Sequence, residues 1–474
     1  MYDIIIIGAG PAGLNAAQQA AKLGAKTALI TKGYVGGMAA TDGPVPVRAL
    51  AYAARLVREA QQLEQYGISS TPPKVDYPKL MERVREIVVE VYEKVSQVEE
   101  LEALNIAVYE NAGAAHFMDS HTVAAHGVIL RGEKIIICAG GHSRPLPIPG
   151  FELTYTHSEA WALDDIPKSM IVVGSGATGA QVASIFNAFG TKVSMFEVAP
   201  RILMTEDEDV SQVVKAAFQR QGIEVTEGMK GIDSFEKTVD SIRMTYRHEG
   251  QSKSCDADLA VMSVGWMANA QELNLQAAGV ELDKRGFIAT NEYMQTNVPH
   301  IFAAGDINGK MMLVSTGSME GYYAATNAIE GPHYPLEYDL IPMGSFTDPE
   351  YAQIGLTEAK ARQDHDIAVS TVQFSDYPRS IIDGRPEGFC KMIADRDTHK
   401  ILGCHVVGER AVETVQLVAA GMKVGLTVEQ LAEMPLSFPT YVAIVSWAAY
   451  EIVEQLGLDP GIPRWLRCPT APIQ

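Results

Sequence analysis

Apolar runs that stop abruptly at glycine recur along this chain. Ile4 to Ile7 are four consecutive isoleucines ended by Gly8, the pattern of a short strand buried on both faces of a parallel sheet. The residues after Gly13 are mostly helix formers and run to Gly24, a natural stop. KTALIT, ending at Thr31, reads as a second strand, and glycines 33, 36 and 37 mark the loop beyond it. Helical spacing follows from Val47 to Tyr66 and again from Pro78 to Leu104. From His116 the chain alternates like a small antiparallel insert, then returns to a buried strand, Ile135 to Ala139, and the pair Gly140-Gly141.

The opening pattern then repeats. SMIVVGSGATGAQVASIF places an apolar strand, glycines 174, 176 and 179, and a helix that ends near Gly190. Further apolar strands end in Gly265 and, from Ile301 to Ala304, in Gly305-Asp306. A helix-like stretch begins at Leu313 and Val314, so the first unit resumes after the second interrupts it. Beyond Tyr338 strands are followed by helices at roughly 413–424, 428–433 and 440–455, which predicts a separate α+β unit.

Gly8, Gly10 and Gly13 form a G-x-G-x-x-G turn between strand and helix, and Gly174, Gly176 and Gly179 form a second. Such glycines permit a tight turn, let backbone approach a pyrophosphate, and bring the helix close to the strand, with the phosphates at the positive helix end. Two such turns imply two bound nucleotides and electron transfer between them. The position 23 residues beyond the first glycine is Glu197 in the second unit and Thr31 in the first. A carboxylate at Glu197 accepts from a ribose 2′-hydroxyl and repels a 2′-phosphate, which favours NAD over NADP, with Arg201 nearby as the one basic counter-signal. Thr31 offers only a neutral hydroxyl, and it is equally readable as an ordinary strand residue. Asp306, directly after a strand, is placed to accept from a ribityl hydroxyl or to sit near a pyrophosphate, with the helix start at Leu313 and Val314 aimed at the same ligand.

Hydrophobic residues are 47% of the 474 and charged residues 20%, enough for a large packed core and against widespread disorder. The formal charge of −20 disfavours nucleic acid and anionic membranes as partners. No apolar run approaches the ~18–20 residues of a membrane span, and no basic leader precedes Asp3. The five cysteines have no metal or C-x-x-C spacing, and the histidines at 116, 121, 126 and 142 have no ligand spacing, so no metal site and a reduced cytoplasmic setting are expected.

In order along the chain, DIIIIGAGPAG, IIICAGGHSRPLPIPG, VVGSGATGAQVASIF, TNVPHIFAAGDI, SFTDPEYAQIGLTE and ILGCHVVGERAVE resemble the flavoprotein disulfide reductases of the dihydrolipoamide dehydrogenase and mercuric reductase type, over essentially the whole chain. The resemblance implies an α/β fold of two Rossmann-like dinucleotide-binding domains plus a C-terminal α+β dimerisation domain. It divides the chain into FAD-binding parts at 1–150 and 272–340, an NAD(P)-binding domain at 151–271 and a dimerisation domain at 341–474. It also implies FAD held by the first glycine turn, Thr31, Gly37, Gly140, Asp306, Leu313 and Val314. NAD(P)H would be held by the second turn, Glu197 and Gly265, and the assembly would be a homodimer.

Departures from the pattern bear on the reaction. Family members carry C-x-x-x-x-C within a segment that here reads GGMAATDGPVPVRAL, so Ala39 and Pro44 stand where the redox-active cysteines would be. Neither side chain can form a thiolate or a mixed disulfide. Arg48 takes the place of a lysine beside the flavin, and Gln181 that of its glutamate partner. Phe438 replaces the acid-base histidine before Pro439-Thr440, and Ala443 the glutamate that orients it. The expectation is therefore an enzyme that passes electrons from reduced flavin straight to a small diffusible acceptor such as a quinone or dye. Ala39, Pro44 and the partner subunit's Phe438 would form an apolar slot, and Arg48 would stabilise negative charge on the flavin. A soluble pyridine nucleotide transhydrogenase and a non-catalytic, nucleotide-responsive flavoprotein are the alternatives. Cys468, in the tail, is a lone thiol near the family's partner-facing end. Trp266 is read as an adenosine-packing or surface residue, and Tyr322 and Tyr323 as core residues.

Overall fold

A computed structural model of the chain describes residues 1–69, 71–95 and 98–459. Its first sheet is built on Tyr2–Ile7, flanked in parallel by Thr27–Ile30 and Ala107–Tyr109 on one side and by Val128–Ile137 and Ile301–Ala303 on the other. Side chains alternate across a strand. Ile4 and Ile6 therefore pack with Ala12, Ala16, Ala324 and Ala328 of two helices, while Ile5 and Ile7 pack with Phe117, Val123 and Leu130 on the opposite face. A polar residue at any of the four positions would be buried without a partner. The ten-residue strand Val128–Ile137 serves three partners: its first half pairs antiparallel with Thr122–Ala125, and its second half pairs parallel with Tyr2–Ile7 on one side and Ile301–Ala303 on the other.

A second parallel sheet, in the order Glu224–Thr226, Lys192–Phe196, Ser169–Val173, Leu259–Met262, carries the second glycine turn. A three-stranded antiparallel sheet, Gly231–Lys237, Ile242–His248 and Gln251–Ala257, packs beside it. The short strands Gly141–Ser143 and Trp266–Ala268 pair antiparallel and connect the two nucleotide-type units. The remaining chain forms a five-stranded antiparallel sheet covered by helices Ala411–Lys423 and Ile444–Gln455. The mixed α/β architecture with a distinct C-terminal α+β unit is the expected one.

Three expectations change in detail. The helix expected from Val47 runs from Pro44 to Gln61, because Pro44 and Pro46 lie in a first turn whose N–H groups have no intrahelical acceptor, and a 3₁₀ turn, Leu63–Tyr66, follows it. The long helix expected over 78–104 is two helices, Tyr77–Val95 and Val98–Ala103. Tyr322 is exposed rather than buried and Tyr323 is half-buried. The inward stripe of helix Val314–Glu330 runs through Gly317, Glu320, Gly321, Ala324 and Ala328, which turns Tyr322 outward.

Charge ties the second unit to the C-terminal one. Lys391, buried on Phe389–Asp395, reaches Asp207 at 2.9 Å, Asp209 at 2.8 Å and Glu358 at 2.5 Å. Asp207 also caps helix Glu208–Arg220 and accepts from the Glu358 N–H. Next to this knot Glu206 is buried, and desolvation pushes its carboxyl up to about 7 against the hydrogen bond from Thr205 and the charge of Arg201. A carboxyl whose pKa is higher folded than unfolded favours the native state while protonated. That contribution is complete below about pH 4.5 and fades as the pH rises through about 7. The expected outcome is that Glu206→Gln leaves the melting temperature unchanged near pH 4.5 and raises it at pH 8, by up to an order of 3 kcal/mol in unfolding free energy. Thermal melts across that range check it.

Candidate nucleotide and redox site

In each glycine turn the first and third glycines are required by the protein's own backbone. A Cβ at Gly8, which has φ +102°, would lie 2.2 Å from the Cys138 carbonyl oxygen, and one at Gly13 would lie 1.8 Å from that of Gly8. In the second turn the matching distances are 2.3 Å from Gly174 to the Ser263 oxygen and 2.0 Å from Gly179 to the Gly174 oxygen. The middle glycines differ: a Cβ at Gly10 or Gly176 meets nothing within 4 Å. Each opens onto the N-terminus of a helix, Pro11–Lys22 or Ala177–Ala188, that has no side-chain cap and no acid in its first turn. Elsewhere Thr156, Asp207, Thr357 and Thr427 cap their helices with side-chain oxygens. Two uncapped helix ends facing open space behind glycine are the geometry that a pyrophosphate fills.

The first cradle is assembled from distant segments. The Gly36 N–H donates to the Ala9 carbonyl, and Gly37 backs onto Gly10, whose Cα would lie 2.8 Å from a Cβ at position 37. Gly305 abuts Ala12 and delivers Asp306, whose carboxyl is raised by burial with no hydrogen bond from the described residues to offset it. Gly141 lies against Asp306, and Asn269 holds the preceding turn by donating to the Ala139 carbonyl and to that of Gly140. Helix Val314–Glu330 starts at Leu313, again without a side-chain cap. Thr31 is buried just past its strand, its backbone bonded to Tyr109 and Ala112.

Two residues that matter here escaped the sequence reading. Glu110 directly follows Tyr109, whose carbonyl accepts from the Thr31 N–H, and its carboxylate accepts from the Val35 N–H at 2.8 Å. Its signal was an acid at a strand end, the same one that marks Asp306. Glu320, fully buried, accepts from the Gly305 N–H, the Asn308 amide and the Tyr338 hydroxyl at 2.5, 2.8 and 2.6 Å, and so fixes the turn that presents Asp306. An acid inside an apolar helix stretch was the only hint of it.

In the second cradle Glu197 spans the turn itself. Its carboxylate accepts from the Ser175 N–H and hydroxyl, at 2.9 and 2.5 Å, and from the Ala199 N–H at 2.8 Å. The Arg201 guanidinium is committed to the backbone carbonyls of Leu203, Met204 and Glu206. Gly265, with φ +110°, ends the neighbouring strand segment. Trp266 after it packs edge-on to His157, with ring centroids 5.1 Å apart.

Ala39 sits in the short helix Gly37–Thr41, and Pro44 is exposed at the start of the next helix. Arg48 lies on the wall of a cavity of about 500 Å³, its guanidinium 3.1 Å from the centre of the Phe346 ring and facing Glu350 and Glu413. Gln181 accepts from the Phe346 N–H at 3.4 Å, so the replacements for the family's lysine and glutamate meet on one phenylalanine instead of forming an ion pair. Phe438 is 55% exposed, whereas Ala443 is buried in the C-terminal core. Cys468 lies outside the described residues.

The description of pyridine nucleotide-disulphide oxidoreductases matches residues 2–321, and that of their dimerisation domain matches residues 341–449. The chain belongs to the pyridine nucleotide-disulphide oxidoreductase family. It is 32% identical over 464 residues to the dihydrolipoyl dehydrogenase of Chlorobaculum tepidum, covering 96% of this chain and 98% of the relative. It is 30% identical to the mercuric reductase of Lysinibacillus sphaericus, covering 91% of this chain and 79% of the relative. Among solved structures, LpdA from Mycobacterium tuberculosis aligns with a TM-score of 0.86 at 24% identity, over 95% of this chain and 99% of that one. The HOCl-induced flavoprotein disulfide reductase RclA from Escherichia coli aligns with a TM-score of 0.83 at 24% identity, over the same shares. The chain is thus an enzyme of the FAD-dependent oxidoreductase class related to flavoprotein disulfide reductases. The family's nucleotides are FAD and NAD(P)H, and the C-terminal domain is its dimerisation domain. Among the described residues no helix is long and apolar enough to cross a membrane.

Glu320 makes the first cradle testable. Glu320→Ala leaves a buried N–H, an amide and a phenol without their acceptor. The expected outcome is a loss of about 2–4 kcal/mol of stability together with faster flavin release, read by thermal melting and by flavin fluorescence.

Proposed function

We propose that this enzyme oxidises NADH and passes the electrons from flavin directly to a small diffusible acceptor, with a quinone or dye as the class, and without dithiol chemistry. Support comes first from the segment between Gly36 and Leu50, where the family's two thiol positions are Ala39 and Pro44. No other described cysteine offers a replacement. Cys138 is buried behind the first glycine turn, and burial pushes its thiol far up. Cys255 lies on the antiparallel sheet of the second unit, its thiol also raised by burial. Cys390 and Cys404 approach to 3.9 Å, but inside the C-terminal sheet, where the contact between them and burial raise the Cys390 thiol well above its ordinary value. A buried neutral thiol is a poor nucleophile.

Bound FAD supplies the two-electron relay between nicotinamide and acceptor. The protein's part is positioning and exclusion. Gly10, Gly37, Asp306 and the start of helix Val314–Glu330 would hold FAD, and Gly176, Glu197 and Gly265 would hold the nicotinamide dinucleotide. Ala39 and Pro44 line one wall of the acceptor slot, with the partner subunit's Phe438 as the other. Two apolar walls, one of them an aromatic ring, suit a flat acceptor and keep water from the reacting atoms. Glu197, seated in the turn, and Arg201, consumed by carbonyls, support NADH over NADPH.

Steady-state NADH oxidation by purified holoprotein tests the reading. Turnover with a benzoquinone should reach about 1–100 s⁻¹ and survive alkylation with iodoacetamide. A rate no faster than free FAD, or one abolished by alkylation, overturns it. Glu197→Ala should narrow the preference for NADH over NADPH in kcat/KM by about tenfold, near 1.4 kcal/mol. An unchanged ratio would detach nucleotide choice from this carboxylate.

A further inference from the structure

The loop that replaces the dithiol carries an acid, Asp42, between Ala39 and Pro44. Its carboxylate accepts from the Ser158 hydroxyl at 2.7 Å. Ser158 lies 3.5 Å from Nε2 of His157, and Nδ1 of His157 lies 3.3 Å from the hydroxyl of Ser143. These four side chains come from three separate stretches: the loop, the short helix His157–Ala160, and the strand Gly141–Ser143 that leaves the flavin cradle beside Asp306. His157 is only 6% exposed, covered by Trp266, while Asp42, Ser158 and Ser143 are partly exposed.

The donors in this row can be assigned from chemistry. Asp42 as a carboxylate only accepts, so the Ser158 proton is committed to it. Ser158 is then the acceptor for His157, which places the imidazole proton on Nε2. Nδ1 is left bare, and Ser143 donates to it. All hydrogen bonds therefore point the same way, from Ser143 through His157 and Ser158 to Asp42. A proton entering at Ser143 moves one position at each group and emerges on Asp42, inside the loop that walls the slot.

Resting on the proposed acceptor chemistry, we propose that Ser143, His157, Ser158 and Asp42 form a proton relay that delivers to the acceptor the proton its reduction consumes. The balance requires one. NADH, a quinone and H⁺ give NAD⁺ and hydroquinone: the quinone gains both electrons and two hydrogens, while NADH supplies the electrons and only one of the hydrogens. Solvent at Ser143 supplies the other. Phe438 cannot, since it has no exchangeable proton. Burial holds His157 below its ordinary pKa against the opposing pull of Asp42, the charged group facing it, so the imidazole is neutral at pH 7 with Nδ1 free to receive. Asp42, in the loop that carries Ala39 and Pro44, is the member that would hand the proton to the acceptor, and His157 and the two serines act through it.

Two measurements decide it. Imidazole ¹⁵N NMR of oxidised holoprotein, with no substrate present, should show His157 neutral and protonated on Nε2 at pH 7, with a midpoint that falls further in Asp42→Asn. A cationic ring or an Nδ1–H tautomer overturns the relay. Kinetically, a quinone needs a proton and ferricyanide, a one-electron acceptor, does not. His157→Gln and Asp42→Asn should lower the ratio of quinone to ferricyanide turnover by about tenfold to a hundredfold, with imidazole buffer restoring quinone turnover in His157→Gln. A ratio unchanged in Asp42→Asn overturns the proposal even if His157→Gln fails to fold. If the unaltered enzyme turns over ferricyanide but no quinone, the acceptor assignment has failed, and the NMR result still decides the relay.

Discussion

Ala12 is where three parts of this chain come into close contact. A Cβ at Gly321 would lie 2.0 Å from the Ala12 carbonyl oxygen, and one at Gly305 would lie 3.1 Å from the Ala12 side chain. Gly317 lies against the same residue. The helix that opens the chain and the helix that closes the first unit therefore touch backbone to backbone, about three hundred residues apart in sequence. The strand between them, Ile301–Ala303, is held to Val128–Ile137. An alanine at 321 would separate the helices and, through Glu320 on the preceding position, tilt the turn that carries Asp306. The whole second unit is inserted between these contacts, so its placement depends on a junction made by residues outside it.

The same economy explains how the loop 37–44 keeps its shape without a disulfide. In the family pattern a bond between positions 39 and 44 would close the loop on itself. Here the Met38 carbonyl accepts from the N–H groups of Asp42 and Gly43 to form the turn, and Asp42 reaches out to Ser158. A local covalent constraint is thus exchanged for a hydrogen bond to another segment. Because Ser158 lies inside the capping box of Thr156 and Glu159, it stands on a fixed support. The anchor couples the loop to the stretch leading into the second nucleotide unit, which a disulfide would not do.

Much of this was legible in sequence, for a physical reason: the features read there are short-range. Ile4 to Ile7 declare a two-faced strand by composition alone. The glycine turns declare themselves because their first and third glycines answer to clashes within a few residues or with the adjoining strand. The substitutions at Ala39, Pro44 and Phe438 are visible because a thiol and an imidazole have no chemical substitute in alanine, proline or phenylalanine. What stayed hidden depends on partners far away along the chain. Arg201 looks like a phosphate ligand until its guanidinium is seen on three carbonyls. Lys391 looks like an exposed lysine in FCKMIAD, although it is buried among three carboxylates. His157 and Asp42 are 115 positions apart, and only the fold joins them. Tyr322 was misread because its apolar neighbours suggested a core face, whereas the crossing at Gly321 sets which side of that helix is inward.

The uncapped helix starts connect stability to function. A missing side-chain cap costs a helix about 0.5–2 kcal/mol, and the helices beginning at Pro11, Ala177 and Val314 all forgo one. Helices Pro44–Gln61, Ala411–Lys423 and Ile444–Gln455 lack a side-chain cap as well, so what singles out the starts at Pro11 and Ala177 is the open space in front of them at Gly10 and Gly176. Asp306 adds a desolvated carboxyl with no donor among the described residues. A ligand that supplies phosphate oxygens and hydroxyls to these groups binds the folded state alone and stabilises it by mass action. The affinity for the two nucleotides and the stability of the fold therefore draw on one set of interactions.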